Sequence, residues 1–308
     1  MSSILSKAKL GSSLGGRPTA AVDLSPEGVL AAALPAPGQK PVYAFEPLPP
    51  GFIVPGIGEP NLRAPEAIAA AIRSALAQVS PRARAVTVVL PDTVVRVFVL
   101  DFDSIPAKPV EALSVLRFRL RKMVPFDVEH AGVSYQVLSE SKSECKVLAA
   151  IIPGQILAEY EAAVRAAGYE PGAVLSSSLA ALEAGDSAGT LEAVLGANLS
   201  AVALTTFIMN GQDLLLYRTL DLPEDPALRV EEVQRGIAVA SAYFEDKLLA
   251  RPTRLHYAGI DDARTFSILI GDSDLSVVDL APRPQIGAAT SLGNSSIAGV
   301  AGALAGAR

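Results

Sequence analysis

Apolar positions along this chain recur as short unbroken runs, as alternations, and as stripes at helical spacing, and each register predicts a different element. Thr19 to Leu24 and Val29 to Leu34 are apolar runs separated by Ser25-Pro26-Glu27-Gly28, the pattern of a hairpin closed by a turn. A proline-rich loop, Pro35 to Pro41, leads to a third strand at Val42 to Phe45, and the Pro and Gly residues between Pro47 and Pro60 keep the next stretch irregular. Pro65 sits in the first turn of a helix whose stripe is Ile68, Ile72, Leu76 and Val79. Val86 to Leu90 reads as a buried strand, with Val94 to Leu100 alternating as its neighbour across Pro91-Asp92.

The stretch from Leu116 to Leu138 organises the middle of the chain. Leu113, Leu116, Leu120 and Met123 recur at helical spacing, while Arg117, Arg121 and Lys122 lie off that face and make it basic outside. Pro125 ends the helix, so Pro125-Phe126-Asp127 is an exit turn that carries an aromatic. Val133, Tyr135 and Val137 alternate with Ser134 and Gln136, and the polar run Ser139 to Lys146 turns the chain into the apolar strand Val147 to Ile152. A helix from about Ile156 to Ala167, stopped by Gly168, a strand at Ala173 to Leu175 and a short helix at Leu179 to Leu182 follow. The small polar stretch Gly185 to Gly189 marks the hinge between halves.

The second half repeats the first in outline. Leu199 to Met209 and Leu214 to Leu220 flank Asn210-Gly211, a strong hairpin signal. Val230, Val233, Ile237, Ala240, Phe244 and Leu248 give one buried face of a long helix. Arg254 to Tyr257 and Leu275 to Leu280 are strands, and the Ala/Gly stretch Ser296 to Ala307 is a helix suited to close packing. Two halves that each run hairpin, helix, strand predict a duplicated α/β architecture of two lobes with a cleft between them, and clefts of that kind bind ligands. Residues 1–18 read as a tail, 19–185 as the first lobe with an inserted subdomain at about 86–152, and 186–308 as the second lobe.

Composition narrows the function. The 308 residues are 50% hydrophobic and 19% charged, with a mean hydropathy of +0.36, as in a well-packed globular protein. A net charge of −6 and a pI near 5.1 argue against general nucleic-acid binding. A single cysteine, Cys145, forms no internal disulfide, and two histidines with no clustered spacing predict no metal site. No apolar run approaches the roughly 20 residues of a membrane-spanning helix. Met1 to Gly16 lacks the core and cleavage pattern of a signal peptide, and reads as a tail or a weak membrane- or partner-binding arm. The expected location is cytoplasmic.

LRFRLRKMVPFDVEHAGVSYQVL, preceded by VTVVLPDTVVRVFVLDFDSIP and followed by VLAAIIPGQILAEYEAAVRAAGYEPGAVL, resembles the PilM family of type IV pilus assembly proteins. The helix ending in a Pro-Phe turn and the Tyr-Gln-Val-Leu strand carry most of that resemblance, which runs from about Thr19. It implies a duplicated actin-like (ribonuclease H-like, FtsA-like) two-lobe fold with a small inserted subdomain. It also implies a cytoplasmic platform component that binds the N-terminal tail of PilN, a single-span inner-membrane protein, in a groove beside that subdomain. Membrane association would then run through partners, with self-association a further expectation.

Actin-like folds grip phosphates with glycine-bearing hairpin loops, because backbone N–H groups approach an anion only where no Cβ intervenes. Matched to that pattern, the nucleotide-loop residues are Asp23, Ser25 and Gly28, then Gly196 and Asn198, then Gly259. Each loop departs from the family's. Pro26 has no N–H and Glu27 adds negative charge, Val194 stands in the second aspartate position, and Tyr257-Ala258-Gly259-Ile260-Asp261 keeps one glycine of a run. The expectation is a scaffold with little or no ATPase activity and no cofactor. The alternatives are an actin-like ATPase using ATP and magnesium through divergent loops, or a cytoplasmic L-like component of a type II secretion system.

For Arg117, Arg121 and Lys122 a solvated helix face stands against a docking surface for an acidic partner or membrane. Pro125 and Phe126 either plug the subdomain's core or line a peptide groove. Asp23 is either a relic of a metal-water ligand or a cap on its own turn.

Overall fold

Three consecutive strands, β1 (Ala20–Ser25), β2 (Gly28–Ala33) and β3 (Val42–Pro47), form an antiparallel meander, and α1 (Pro65–Val79) carries the chain back so that β4 (Ala85–Leu90) lies parallel to β1. The computed structural model describes residues 17–36, 39–80, 82–141, 143–184, 193–211, 213–271, 273–281, 295–305 and 307. The expected hinge at Gly185 to Gly189 and the tail as far as Gly16 lie outside the described residues.

After β4 the chain leaves the first sheet. One turn of 3-10 helix, Asp92–Val94, swings it into β5 (Arg96–Phe102), then α2 (Pro109–Leu120), β6 (Gly132–Glu140) and β7 (Cys145–Ile152). These make an antiparallel sheet of order β5-β7-β6 with α2 on one face. α3 (Gly154–Ala166) returns to the first lobe, β8 (Glu170–Ser176) pairs parallel with β4, and the short helix α4 (Ser177–Ala181) follows.

The second lobe repeats the plan. β9 (Ala193–Leu199), β10 (Ala203–Asn210) and β11 (Asp213–Asp221) are its meander, α5 (Pro226–Leu248) its crossover helix, then come β12 (Arg254–Gly259), α6 (Ala263–Ile270) and β13 (Ser276–Asp279). The sheet orders are β3-β2-β1-β4-β8 and β11-β10-β9-β12-β13, the same order twice, with antiparallel and parallel pairs in the same places. The terminal helix α7 (Ala298–Ala305) occupies in the second repeat the place α4 has in the first.

Central strands read as unbroken apolar runs because helices cover both faces of the sheet. Ala20, Val22 and Leu24 pack toward α1 and α3, while Ala21 faces Val300 and Leu304 of α7. The α1 stripe is buried as its spacing predicts at Ile68, Ile72 and Leu76, and α5 buries Val233, Ile237, Ala240 and Phe244.

Several expectations are corrected. Val94 to Leu100 does not neighbour β4, because the Asp92–Val94 turn redirects it to pair with β7; the inserted sheet therefore begins at β5, and β4 belongs to the first lobe. α2 stops at Leu120, so Met123 falls off the buried stripe and is 40% exposed. α7, the last element of the second repeat, packs mainly on the first lobe's sheet and on α4, where Gly302 faces the Ala180 carbonyl and a Cβ would come within 1.8 Å, while its Ala298 also touches the core shared with the second lobe. Leu199 to Met209 is not one strand: β9 ends at Leu199 and β10 starts at Ala203. Ser134 and Gln136, the polar positions of the β6 alternation, are buried, because the inserted sheet's second face abuts the second lobe.

Candidate functional site

The first hairpin closes through Asp23-Leu24-Ser25 and the turn Pro26-Glu27, and the second through Asn198-Leu199-Ser200 and the turn Ala201-Val202. The two share one local device. Ser25 Oγ donates to the Gly28 carbonyl at 3.3 Å, and Ser200 Oγ donates to the Ala203 carbonyl at 3.2 Å, each across three residues. Asn198 is therefore the second-lobe counterpart of Asp23. The sequence register that placed Val194 there, with Gly196 in the loop, starts four residues too early. Gly196 lies inside β9 instead, against the ring of Phe207.

The two hairpin tips face one cleft, lined by Asp23, Ser25, Glu27, Asn198, Ser200 and Ile260. Gly259 does not line it, but its lack of a Cβ lets the end of β12 approach Leu199, whose carbonyl a Cβ would meet at 2.6 Å. Gly28 stands behind the first tip, against β3 at the Glu46 carbonyl. Of the six expected loop residues, the structure thus brings three, Asp23, Ser25 and Asn198, to the cleft.

Asp23 is on the face of β1 covered by α7, where a Cβ on Gly299 would lie 3.2 Å from its Oδ2. Burial, reinforced by the nearby charges of Glu27 and Asp92, pushes its carboxyl up to about 8. The Ser25 hydroxyl bridges the first hairpin's turn through its bond to the Gly28 carbonyl.

Sequence reasoning missed the most densely bonded group of the cleft, Asp92. Its side chain is buried where the first lobe, the insert and the second lobe converge. Oδ1 accepts from the Ser178 backbone N–H at 2.9 Å and from Tyr217 OH at 3.3 Å. Oδ2 accepts from Ser178 Oγ at 2.5 Å, Thr205 Oγ1 at 3.0 Å and Asn198 Nδ2 at 3.4 Å. The Asn198 Nδ2 group also donates to Ser177 Oγ and Ser178 Oγ, so its N–H donors are committed within the protein. Desolvation raises the Asp92 carboxyl above the ordinary range while the hydroxyl and amide donors pull it back, and no cation enters the balance. Burial and the Asp92 charge push the Tyr217 phenol far up, so Tyr217 is a donor throughout the working range. The signal in the sequence was an acidic residue between two apolar runs, and Pro91-Asp92 disguises it as an ordinary turn.

The partner residues expected at the end of α2 lie in the insert. Arg117 does not stand free on a helix face: its guanidinium donates to the Val128 carbonyl and, at 3.0 Å, to the Ala131 carbonyl, fastening α2 to the loop before β6. Arg121 pairs with Glu129, Pro125 is exposed, Phe126 is half-buried against the insert's core, and Lys122 is exposed. The outward side of α2 instead exposes apolar groups, Val110 at 77% and Phe118 at 71%. Among the described residues no group of three or more His, Cys, Asp or Glu side chains is placed to hold a metal ion, and no helix is long and apolar enough to cross a membrane.

Two five-stranded sheets of identical order, meeting at a cleft beneath two related hairpins, with a three-stranded insert in the first lobe, define an actin-like fold. Among solved structures, the chain shares its fold with the PilM–PilN type IV pilus biogenesis complex, with a TM-score of 0.74 and 18% identity, over 94% of this chain and 99% of that one. A Bacteroides thetaiotaomicron protein with an actin-like ATPase fold aligns at a TM-score of 0.50 and 13% identity, over 83% of this chain and 88% of that one. The cytoplasmic domain of EpsL, an inner-membrane component of the Vibrio cholerae type II secretion system, aligns at 0.49 and 13% identity over 86% and 87%, too distant to argue from. No protein-family model and no curated protein matches the chain. The likeness to PilM expected from about Thr19 onward is met at the level of the fold.

Proposed function

We propose that this protein is a cytoplasmic scaffold of a type IV pilus assembly platform. It binds the N-terminal cytoplasmic tail of a PilN-like single-span inner-membrane protein and has little or no ATPase activity. The observation that carries the reading is the combination of a fold shared almost end to end with a PilM–PilN structure and a cleft in which the Asn198 N–H donors are already bonded within the protein. At the first tip Pro26 offers no N–H, and Glu27 lines the cleft with an acidic side chain where a polyphosphate would have to lie. At the second tip the Asn198 amide is committed to Asp92, Ser177 and Ser178. A tail lying extended beside the insert would add backbone hydrogen bonds and bury alternate side chains, the usual economy of extended-peptide recognition.

Calorimetric titration of the full chain, separately with magnesium-ATP and with a synthetic N-terminal tail of a PilN-like protein, tests both halves. The expected result is saturable heat with the tail and none with the nucleotide. Tight ATP binding without tail binding would instead favour an actin-like ATPase with divergent loops.

A further inference from the structure

We propose that the interlobe cleft contains a carboxylate-binding site and that the chain fills it from within: Asp92 is a built-in anionic ligand, held by donors from both lobes. The donors are those a small anion would need. Ser178 supplies a backbone N–H and a hydroxyl from the first lobe, while Thr205 and Tyr217 supply hydroxyls and Asn198 an amide from the second. Five donor contacts converge on two oxygens, and none comes from a cation, which is the way proteins bind carboxylates by neutral hydrogen bonds alone.

The position supplies the second half of the argument. Asp92 stands beside the two hairpin tips, which in a nucleotide-loaded cleft would be bridged by an external anion. Here the bridge is covalently part of the first lobe, and the second lobe's hairpin closes onto it through Asn198 and Thr205. An apolar contact lies alongside, with Phe207, Met209 and Leu214 of the second lobe against Leu148 of the insert and Leu179 of α4. Asp92 is therefore the polar centre of an interface that is otherwise apolar. Joining the lobes in this way needs no nucleotide. The inference is independent of which partner binds the insert.

Chemical rescue of the full chain is the direct test. Asp92→Ala removes the carboxylate and leaves its donors facing a space of about that size. Thermal melts in rising sodium formate, against sodium chloride at matched ionic strength, report whether a small carboxylate re-enters. The expected result is a large fall in Tm for Asp92→Ala in chloride, partly and saturably reversed by formate, with no such response in the native chain. Hydrogen exchange should rise around Ser178 and Thr205 in the variant and fall again with formate, while α1 and α5 stay unchanged. Formate acting equally on variant and native chain overturns the proposal. If Asp92→Ala does not fold, a cycle of Asp92→Asn and Thr205→Val decides: unfolding constants coupled by about tenfold are expected, and additivity within about twofold overturns it.

Discussion

Asp23 shows what burial does to one carboxylate. Its pKa of about 8 means that the folded state holds a proton that the unfolded chain releases near 3.8. Stability from this residue is therefore greatest at low pH and falls as pH rises from about 4 to about 8. The charged groups acting on it are Glu27 and Asp92, and Asp23 in turn bears on the Tyr160 phenol; the facing elements β2, β4, α4 and α7 contain no ionisable side chain. Asp23→Asn should accordingly raise Tm, with a gain that is small near pH 4 and grows to a plateau above pH 8. Melts across that range check it, and a gain independent of pH would contradict it. Glu159 is the opposite case, a carboxylate that organises backbone. Its two oxygens accept the N–H groups of Asn61 and Leu62 at 2.8 and 2.7 Å, pinning the irregular loop after β3 to α3. Glu159→Ala strands two N–H donors and should cost about 2–4 kcal/mol in denaturant unfolding.

At the scale of elements, helices and hairpins with strong local signals were legible, and the misreadings share a cause. α1 and α5 appear where their stripes place them, and Asn210-Gly211 closes β10 onto β11 with Gly211 at a φ of +60°. The second cleft hairpin was hidden because its turn, Ser200-Ala201-Val202, contains neither glycine nor proline and sits inside an apolar run. Only the bonding of Ser25 and Ser200, which is a fact of geometry, exposes the repeated Asp/Asn-Leu-Ser pattern. On β6 the alternation is present but does not say which set is buried: with the sheet covered on both faces, Ser134 and Gln136 are buried while Val137 is 37% exposed. Among the described residues, Ser134 Oγ and Gln136 Oε1 have no hydrogen-bond partner there. Ser134→Ala should therefore stabilise the chain by about 1 kcal/mol, measured by chemical unfolding. α7 predicts the reverse. Alanine is a better helix former than glycine by about 1 kcal/mol, yet Gly302→Ala should lower Tm, because the Ala180 carbonyl occupies the place of the new Cβ.

Across the whole molecule, the fold class was readable from two successive hairpin–helix–strand patterns. The boundaries were less so, because they depend on contacts between distant segments. Nothing in Ser296 to Ala307 says that it crosses back to the first lobe; that follows only from the fit of Gly299 and Gly302 against Asp23 and α4. Asp92 was likewise invisible as a hub, since its five contacts come from residues 86 to 125 positions away.

The insert is joined to the first lobe by two strands of chain, one of which leaves through Asp92–Val94, while its sheet rests against β11 of the second lobe. The Asp92–Val94 turn therefore serves two junctions at once: the chain enters the insert through it, and its first residue carries the carboxylate on which both lobes close.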